Sequence, residues 1–472
     1  MRVTNKLLSN NFLSDMQRNL TNLSKIQKQM SSMKNFSKPS DDPVNVQRAM
    51  QLQSSIDYND QYATNIKAAQ GWMQTTDTAL VQLNTVIGNI RNNLEEGGNA
   101  AYTQDERDKI NDEVNQEVSQ LAQILNTNFK GEYIFGGTAG LSKPVSTSTY
   151  DITRSTDKYD GCVKIEYADK DGNAVNYLPD VVSSGFDIGN WTTGSSTITF
   201  NLNGVAQTPI TISGSDSNID DVVKDLNTQI QKSTSGLQDK VNVVKTNDGN
   251  IKFIAVNSSD IIKIDSTGIT PDLSGAVGQQ LSNMSVENIG AEKNIEVSQG
   301  VVLDYNANAV DVMNYGTGTG DNIPALMDRI EHHLAGQVLS DKRADGTTAV
   351  VSGDPDAINI PDSDGTAHYY AWVDNKDEAT KQLTNQDLTD MDAASKQIMK
   401  VDSQIGAKEK RMDGLSSQNS SSKVDMTDIL SKTEDIDITE KTIEYSTMIT
   451  IYQACLQTGG KIMQPTLMDY IK

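Results

Sequence analysis

The hydrophobic pattern is sharpest in the last thirty-five residues, Ile438 to Lys472. Apolar or small side chains recur there every seven positions on three adjacent lines. One line is Ile438, Tyr445, Tyr452 and Gly459; the second is Met448, Cys455 and Ile462; the third is Ile449, Leu456 and Met463. Alternating spacings of three and four are the seam of a supercoiled helix. Three neighbouring lines make a face wider than one partner helix covers. Each such side chain is worth ~1.5–3 kcal/mol when buried and close to nothing when exposed. The stretch therefore predicts a helix that needs several neighbours.

The same spacing appears near the amino end. Phe12, Asn19, Ile26 and Met33 form one line, and Met16, Leu23 and Met30 the other, flanked by Leu13 and Leu20. Asn19 on the seam either fixes register or is a solvated side chain on a frayed helix. Lys38-Pro39-Ser40-Asp41-Asp42-Pro43 then breaks the pattern, with capping residues between two prolines. Ile66, Met73, Leu80, Ile87 and Leu94, with Ala69, Thr76, Leu83 and Ile90, predict a helix of about 40 Å. Gly97-Gly98 ends it. Thr103 followed by Glu106 is a capping box, opening a helix whose apolar face is Ile110, Val114, Val118, Leu121 and Leu125. The seam resumes at Met391, with Ile398, Ile405 and Met412 on one line and Ala394, Val401, Lys408 and Leu415 on the other. Lys408 is its one charged member, and Ser417 to Ser422 reads as a polar break.

Between these ends the period changes. Thr197 to Leu202 alternates in period two, Asn203-Gly204 is a hairpin-turn signal, and Pro209 to Ile212 returns. An amphipathic helix from Ile219 to Ile230 and a second hairpin, Val241 to Val256, complete a ββαββ unit at about 192–256. Ile295–Val297 and Val301–Leu303 read as strands, Ile323 to Leu334 as a helix, and His368 to Trp372 as a strand. The expected fold is α+β: a long antiparallel coiled-coil rod built from both termini, with β-rich outer domains inserted. Its segments are 1–145 and 385–472, pairing as the rod, 146–320 as β-rich outer domain, and 321–384 as a helix plus a polar outer region.

Composition narrows the function. Of 472 residues, 36% are hydrophobic and 5% aromatic, which suits thin rods and small β modules better than one thick core. The net charge of −23 disfavours nucleic acid and an anionic membrane surface. Two cysteines, Cys162 and Cys455, exclude a disulfide framework as the main staple. No stretch is long enough to span a membrane. The amino end, MRVTNKLLSNNFLSDMQ, lacks the features of a cleaved secretory signal.

Met1-Arg2-Val3-Thr4, Arg18-Asn19-Leu20, the Lys38–Pro43 break, Gly131-Glu-Tyr133-Ile134-Phe135-Gly136-Gly137, and the ending from Tyr452-Gln-Ala454 to Leu467-Met468-Asp469-Tyr470 carry a resemblance. The chain resembles the flagellin superfamily of bacterial flagella. Pro43 after Asp42 and the MDYIK ending bring it closer to the hook-associated protein three family, which joins hook to filament, than to filament flagellin. The resemblance covers about 145 residues at the amino end and about 90 at the carboxyl end. It implies a structural, non-enzymatic protein of the extracellular flagellum, serving motility and exported through the flagellum-specific channel without a cleaved signal. It implies sister copies, neighbouring hook-associated and flagellin layers as partners, and a cytoplasmic export chaperone on the carboxyl-terminal helix. Filament flagellin, and a surface adhesion module on a flagellin-like rod with Tyr369, Tyr370 and Trp372 as first candidates, are the alternatives. The residues expected to carry assembly are Phe12, Met16, Leu20, Leu23, Ile26 and Met30 at the amino end. Tyr445, Met448, Ile449, Tyr452, Cys455, Leu456, Ile462, Met463, Leu467 and Tyr470 are their carboxyl-terminal counterparts. In the free subunit the outer parts of both terminal helices are expected to be unordered until they dock.

No catalytic, cofactor or metal constellation is expected. His332 and His333 are adjacent, diverge by about 100° on a helix, and read as solvent-facing imidazoles. Asp169-Lys-Asp171-Gly172-Asn173 has the flavour of a calcium loop, but its glycine is misplaced and it reads as a polar turn. Gly316 to Asp321 fits neither phosphate-binding fingerprint and reads as a turn. Cys455 reads as a small buried apolar side chain, and Cys162 as part of a β region without a histidine pattern around it. An enzyme in the outer domains would need a pocket of convergent titratable groups.

Overall fold

The computed structural model describes residues 2–175, 177–178, 181–182, 195–213, 218–233, 236–246, 248–267, 279–316, 320–343, 347–352, 354, 356–359 and 368–462. Its longer helices are α1 (Arg2–Ser32), α2 (Pro43–Gly97), α3 (Gln104–Leu125), α4 (Ile219–Lys232), α5 (Ile323–Leu334), α6 (Leu388–Glu434) and α7 (Ile438–Ile462). With several small sheets they make an α+β chain. It divides into two compact units. One comprises residues 1–67, 296–301 and 412–472, and the other residues 68–295 and 302–411. Residues of α2 and α6 belong to both.

In the second unit the predicted seams are buried. Ile66 precedes it at 0% exposure, and Met73, Leu80, Leu83, Ile87, Ile90 and Leu94 follow at 0–1%. Met391, Ala394, Ile398, Val401 and Ile405 on α6 are equally covered. The two helices are tied by Arg91, whose Nε donates to Asp392 Oδ1 at 2.8 Å, and by Ser395, whose Oγ donates to Asn84 Oδ1 at 2.8 Å. Lys408, the charged member of the seam, donates to the Asn306 carbonyl at 3.2 Å and pairs with Asp304. The capping box holds: the Thr103 side chain caps Glu106 N, and Glu106 Oε2 accepts from Thr103 N at 2.7 Å.

α2 begins at Pro43, the last residue of the Lys38–Pro43 break, as the capping residues there predict, with the Asp42 carboxylate accepting from Asn45 N at 3.1 Å. One boundary differs from expectation. α6 runs unbroken through Ser417–Ser422. Ser417 and Ser421 hydroxyls donate to carbonyls four residues back, at 3.0 and 3.1 Å, so these serines live comfortably on a helix surface. The helix stops instead at Glu434, and Asp437 starts α7 by accepting from Thr439 N at 2.8 Å.

The middle of the chain is strand-rich. Strands 145–153 and 158–168 pair antiparallel, with 174–175 added at the edge. Further on, 195–202 pairs with 205–206 across Asn203 and Gly204, both at positive φ, then with 210–213 and 262–267. A separate sheet joins 241–245 to 251–255, and the latter to 181–182 and, in parallel, to 282–283. Along the chain the order is 195–202, 205–206, 210–213, α4, 241–245 and 251–255, three strands before the helix and two after it, and strands from outside the 192–256 span complete both sheets. Val222, Leu226 and Ile230 of α4 fill the core between them with Ile198, Phe200, Phe253 and Ile264. Residues 294–298 and 301–304 form a hairpin, and 369–374 pairs with 337–340 and 358–359.

Candidate assembly interface

In the first unit α1 and α7 run antiparallel. Near one end the Phe12 ring lies against Gly459. Further along, Asn19 Nδ2 is 3.9 Å from Cys455 Sγ. At the other end Lys34 and Asp435 form an isolated antiparallel bridge. Asn35 N donates to Glu434 O at 2.7 Å, Ile436 N to Met33 O at 3.2 Å, and Lys34 pairs with Glu434. This backbone clip fixes where the two helices begin to face each other. Beyond it the Asp41 carboxylate accepts from Ser37 N and Lys38 N at 3.1 and 3.0 Å. Those two backbone donors hold Asp41 below the usual carboxylate range. Among the described residues both terminal helices are formed, over Arg2–Ser32 and Ile438–Ile462, where their wide faces predict unordered outer ends; residues 463–472 lie outside the described residues.

Pairing does not cover them. Ile26 is buried at 4% exposure, and Gly459 is buried. Phe12, Met16, Leu23, Met30, Tyr445, Met448, Ile449, Tyr452 and Cys455 are half-buried. Cys455 is thus not the fully buried side chain expected, since among the described residues α1 alone is recorded against it, through Asn19. Leu20 and Leu456 remain 49% and 46% exposed. Met33, read as the last seam residue, instead leaves the helix at φ 58° and is exposed, because the chain turns there toward the clip. Met463, Leu467 and Tyr470, and the side chain of Ile462, lie outside the described residues.

Sequence reasoning missed other apolar side chains exposed on this unit: Ile443, Ile451, Val44, Met50, Tyr58 and Val424. They sit off the heptad lines, and their signal is a large apolar residue on an otherwise polar helix face. From Tyr445 to Gly460 α7 carries no charged residue at all.

The second unit holds a different group of polar residues around α5. His332 and His333 are buried, not solvent-facing as expected. They do diverge: the His332 ring stacks on Trp372 with centroids 3.9 Å apart, and Nδ1 lies 3.1 Å from Gln337 Oε1. Gln337 Nε2 donates to Thr153 O and Asp374 Oδ1, so its oxygen accepts and His332 Nδ1 carries the proton. Burial lowers the His332 pKa. His333 Nδ1 instead meets Asp387, a fully buried carboxylate that also accepts from Arg329 Nε at 2.8 Å. Glu331, on the same turn, is fully buried beside Tyr150 and Cys162, and burial raises its pKa to about 8. Asp169 forms a polar turn with its own loop, accepting from Asp171 N and Asn173 N, both at 2.9 Å, and it also accepts from the sequence-distant Ser258 Oγ at 2.7 Å. Among the described residues no group of three or more His, Cys, Asp or Glu side chains could hold a metal ion, and no helix is long and apolar enough to cross a membrane.

With the helix pair and its half-covered face established, comparison with known proteins places the amino end. Residues 3–139 match the family described as the bacterial flagellin N-terminal helical region. In this span the chain is similar to a flagellin amino-terminal region. Flagellar hook-associated protein 3 of Salmonella typhimurium is 26% identical over 150 residues, 32% of this chain and 47% of that protein. A flagellin of Clostridium tyrobutyricum is 27% identical over 127 residues, 27% of this chain and 34% of that protein. The chain therefore spans less than half the length of these curated relatives. A solved flagellar hook associated protein-3 from Legionella pneumophila aligns with TM-score 0.35 and 15% identity, covering 81% of this chain and 98% of that one. The matched span includes α1 from residue 3, the Lys38–Pro43 break, α2 and α3, so one helix of the α1–α7 pair lies within the region of similarity.

Proposed function

We propose that the chain is a structural protein of the bacterial flagellum that joins hook to filament by self-assembly through its terminal helices. The observation that carries this reading is the α1–α7 pair. A flagellin-type helix and the carboxyl-terminal helix meet along one seam, yet most of their apolar residues stay half-buried or exposed. In this reading the pair becomes a coiled-coil layer when sister copies cover Leu20, Tyr452 and Leu456. Hook-associated and flagellin layers lie above and below. A cytoplasmic chaperone shields α7 before export, which proceeds without a cleaved signal. The rod comprises 1–145 and 385–472, and the strand-rich segments between, with a ββαββ module at about 192–256, are outer domains.

Immunogold labelling along purified flagella tests the assignment. Label confined to the boundary between hook and filament supports it. Label along the shaft makes the chain a filament flagellin, the reading that the likeness to the Clostridium tyrobutyricum flagellin favours. No label on flagella refutes both.

A further inference from the structure

Within the first unit a groove of about 470 Å³ lies between α2 and α6, flanked by residues 297–299. Twelve residues line it, and none is charged, although 22% of the chain is. Charges stand at its edges and not on its lining: Asp60 and Lys423 pair with each other, the Glu296 carboxylate accepts from the Tyr62 hydroxyl at 3.4 Å, and Asp57 and Asp425 neighbour lining residues in sequence. The groove is held by the protein's own bonds: Asn419 Nδ2 donates to Asn59 O at 2.9 Å, and Asn65 Nδ2 to Glu296 O at 2.8 Å. Tyr58, 65% exposed, stands on its wall with Leu415, Gln418, Ser422 and Met426.

This composition has a direction. Charged residues are depleted, and tyrosine and methionine enriched, at the centres of protein–protein contacts, and an exposed tyrosine is a common anchor. Copies of a chain with net charge −23 repel each other wherever their acidic surfaces meet. Neutral surface is where two copies approach at least cost. The chain offers matching neutral surface elsewhere, since α7 has no charge between Tyr445 and Gly460 and leaves Ile451 and Leu456 exposed. We propose that the α2–α6 groove receives a neutral face of a second copy of this chain. Groove and helix face are different surfaces, so such a contact is head-to-tail and propagates as a helical array rather than closing as a dimer. The inference rests on the assembly reading above and names one of its contacts.

The test places p-benzoylphenylalanine at position 58, and separately at 418, in the full chain, with thermal melts confirming that each variant folds. Purified flagella are irradiated and the cross-linked peptides identified by mass spectrometry. Cross-links joining two copies of this chain are expected. Cross-links only to another protein, or none in flagella that contain the chain, overturn the inference. If labelling shows that the chain is absent from flagella, irradiation of concentrated purified chain separates the two ideas. Dimers linked through position 58 would then keep the groove while the flagellar role falls, and their absence removes both. As a second arm, Gln418→Glu should weaken association of copies at least tenfold, whereas Gln51→Glu, outside the groove, should leave it unchanged; equal effects would overturn the inference.

Discussion

A Cβ built on Gly459 would come within 2.6 Å of Phe12 Cε1, so the aromatic ring occupies the space a side chain would need. This is the contact that closes the α1–α7 pair far from the backbone clip at Lys34 and Asp435. Gly459→Val should displace the Phe12 ring and loosen the pair by about 1–3 kcal/mol, the usual cost of overpacking. Amide exchange across α1 residues 8–20 would rise while exchange in the second unit stays unchanged. Unaltered protection of α1 would mean the ring finds another seat at no cost.

Glu331 predicts a pH dependence confined to the second unit. Burial raises its folded-state pKa from 4.5 to about 8, and Asp328 on the same helix opposes ionisation further. The carboxyl is neutral in the fold and ionised in the unfolded chain between these values. The stability this group contributes is therefore fully present below pH 4.5 and lost as pH rises to about 8, at about 1.4 kcal/mol per pH unit within that window. Glu331→Gln should flatten this slope and melt above the unsubstituted protein at pH 9. Parallel melting curves for the two proteins from pH 5 to 9 would show that Glu331 does not titrate in the fold.

Asp387 collects two cationic or proton-bearing partners from one helix, Arg329 and His333, in a fully buried position. Breaking a buried ion pair typically costs about 3–5 kcal/mol, and Arg329, whose side chain keeps 28% exposure and a second partner in Asp390, sets the expectation at the lower end of that range. Asp387→Asn should destabilise the second unit by that order and raise the exchange of α5 amides. Exchange in α1 and α7 should be untouched. A loss below about 1 kcal/mol would indicate that Arg329 shifts its whole charge to Asp390, its second partner.

The legible parts of this fold are those that depend on one local rule. Ile66 to Leu94 and Met391 to Met412 are buried as their spacing requires, because a single stripe decides which way a long helix faces. Thr103 and Glu106 mark the start of α3, because a cap is a contact between near neighbours in sequence. Ser417–Ser422 misled because polarity alone does not break a helix; a backbone with no proline or glycine there simply continues. The histidines misled for a different reason. His332 is buried by Trp372 and Gln337, and His333 by Asp387, and nothing adjacent in sequence announces such distant partners. Within the α1–α7 pair, Phe12, Asn19, Cys455 and Gly459 meet at positions the seven-residue spacing marks, but the exposure of Ile443 and Ile451 depends on which neighbours the rest of the chain leaves out.

Leu456 separates the stability of the single chain from assembly. It lies on the third heptad line of α7 but is 46% exposed, so a change there disturbs little within one copy. Leu456→Asp should leave thermal melting of the isolated chain within about 0.5 kcal/mol of the original, as surface substitutions usually do. In an array, where sister helices would cover this position, the same carboxylate would be buried without a partner at a cost of several kcal/mol. On the proposed junction role, cells carrying only the variant should make chain that folds and is exported, yet bear hooks without filaments, scored by electron microscopy. Tyr452→Asp, nearer the seam, should abolish assembly as well and also weaken the α1–α7 pair. Normal filaments on Leu456→Asp cells would place the contact surface elsewhere on the helix.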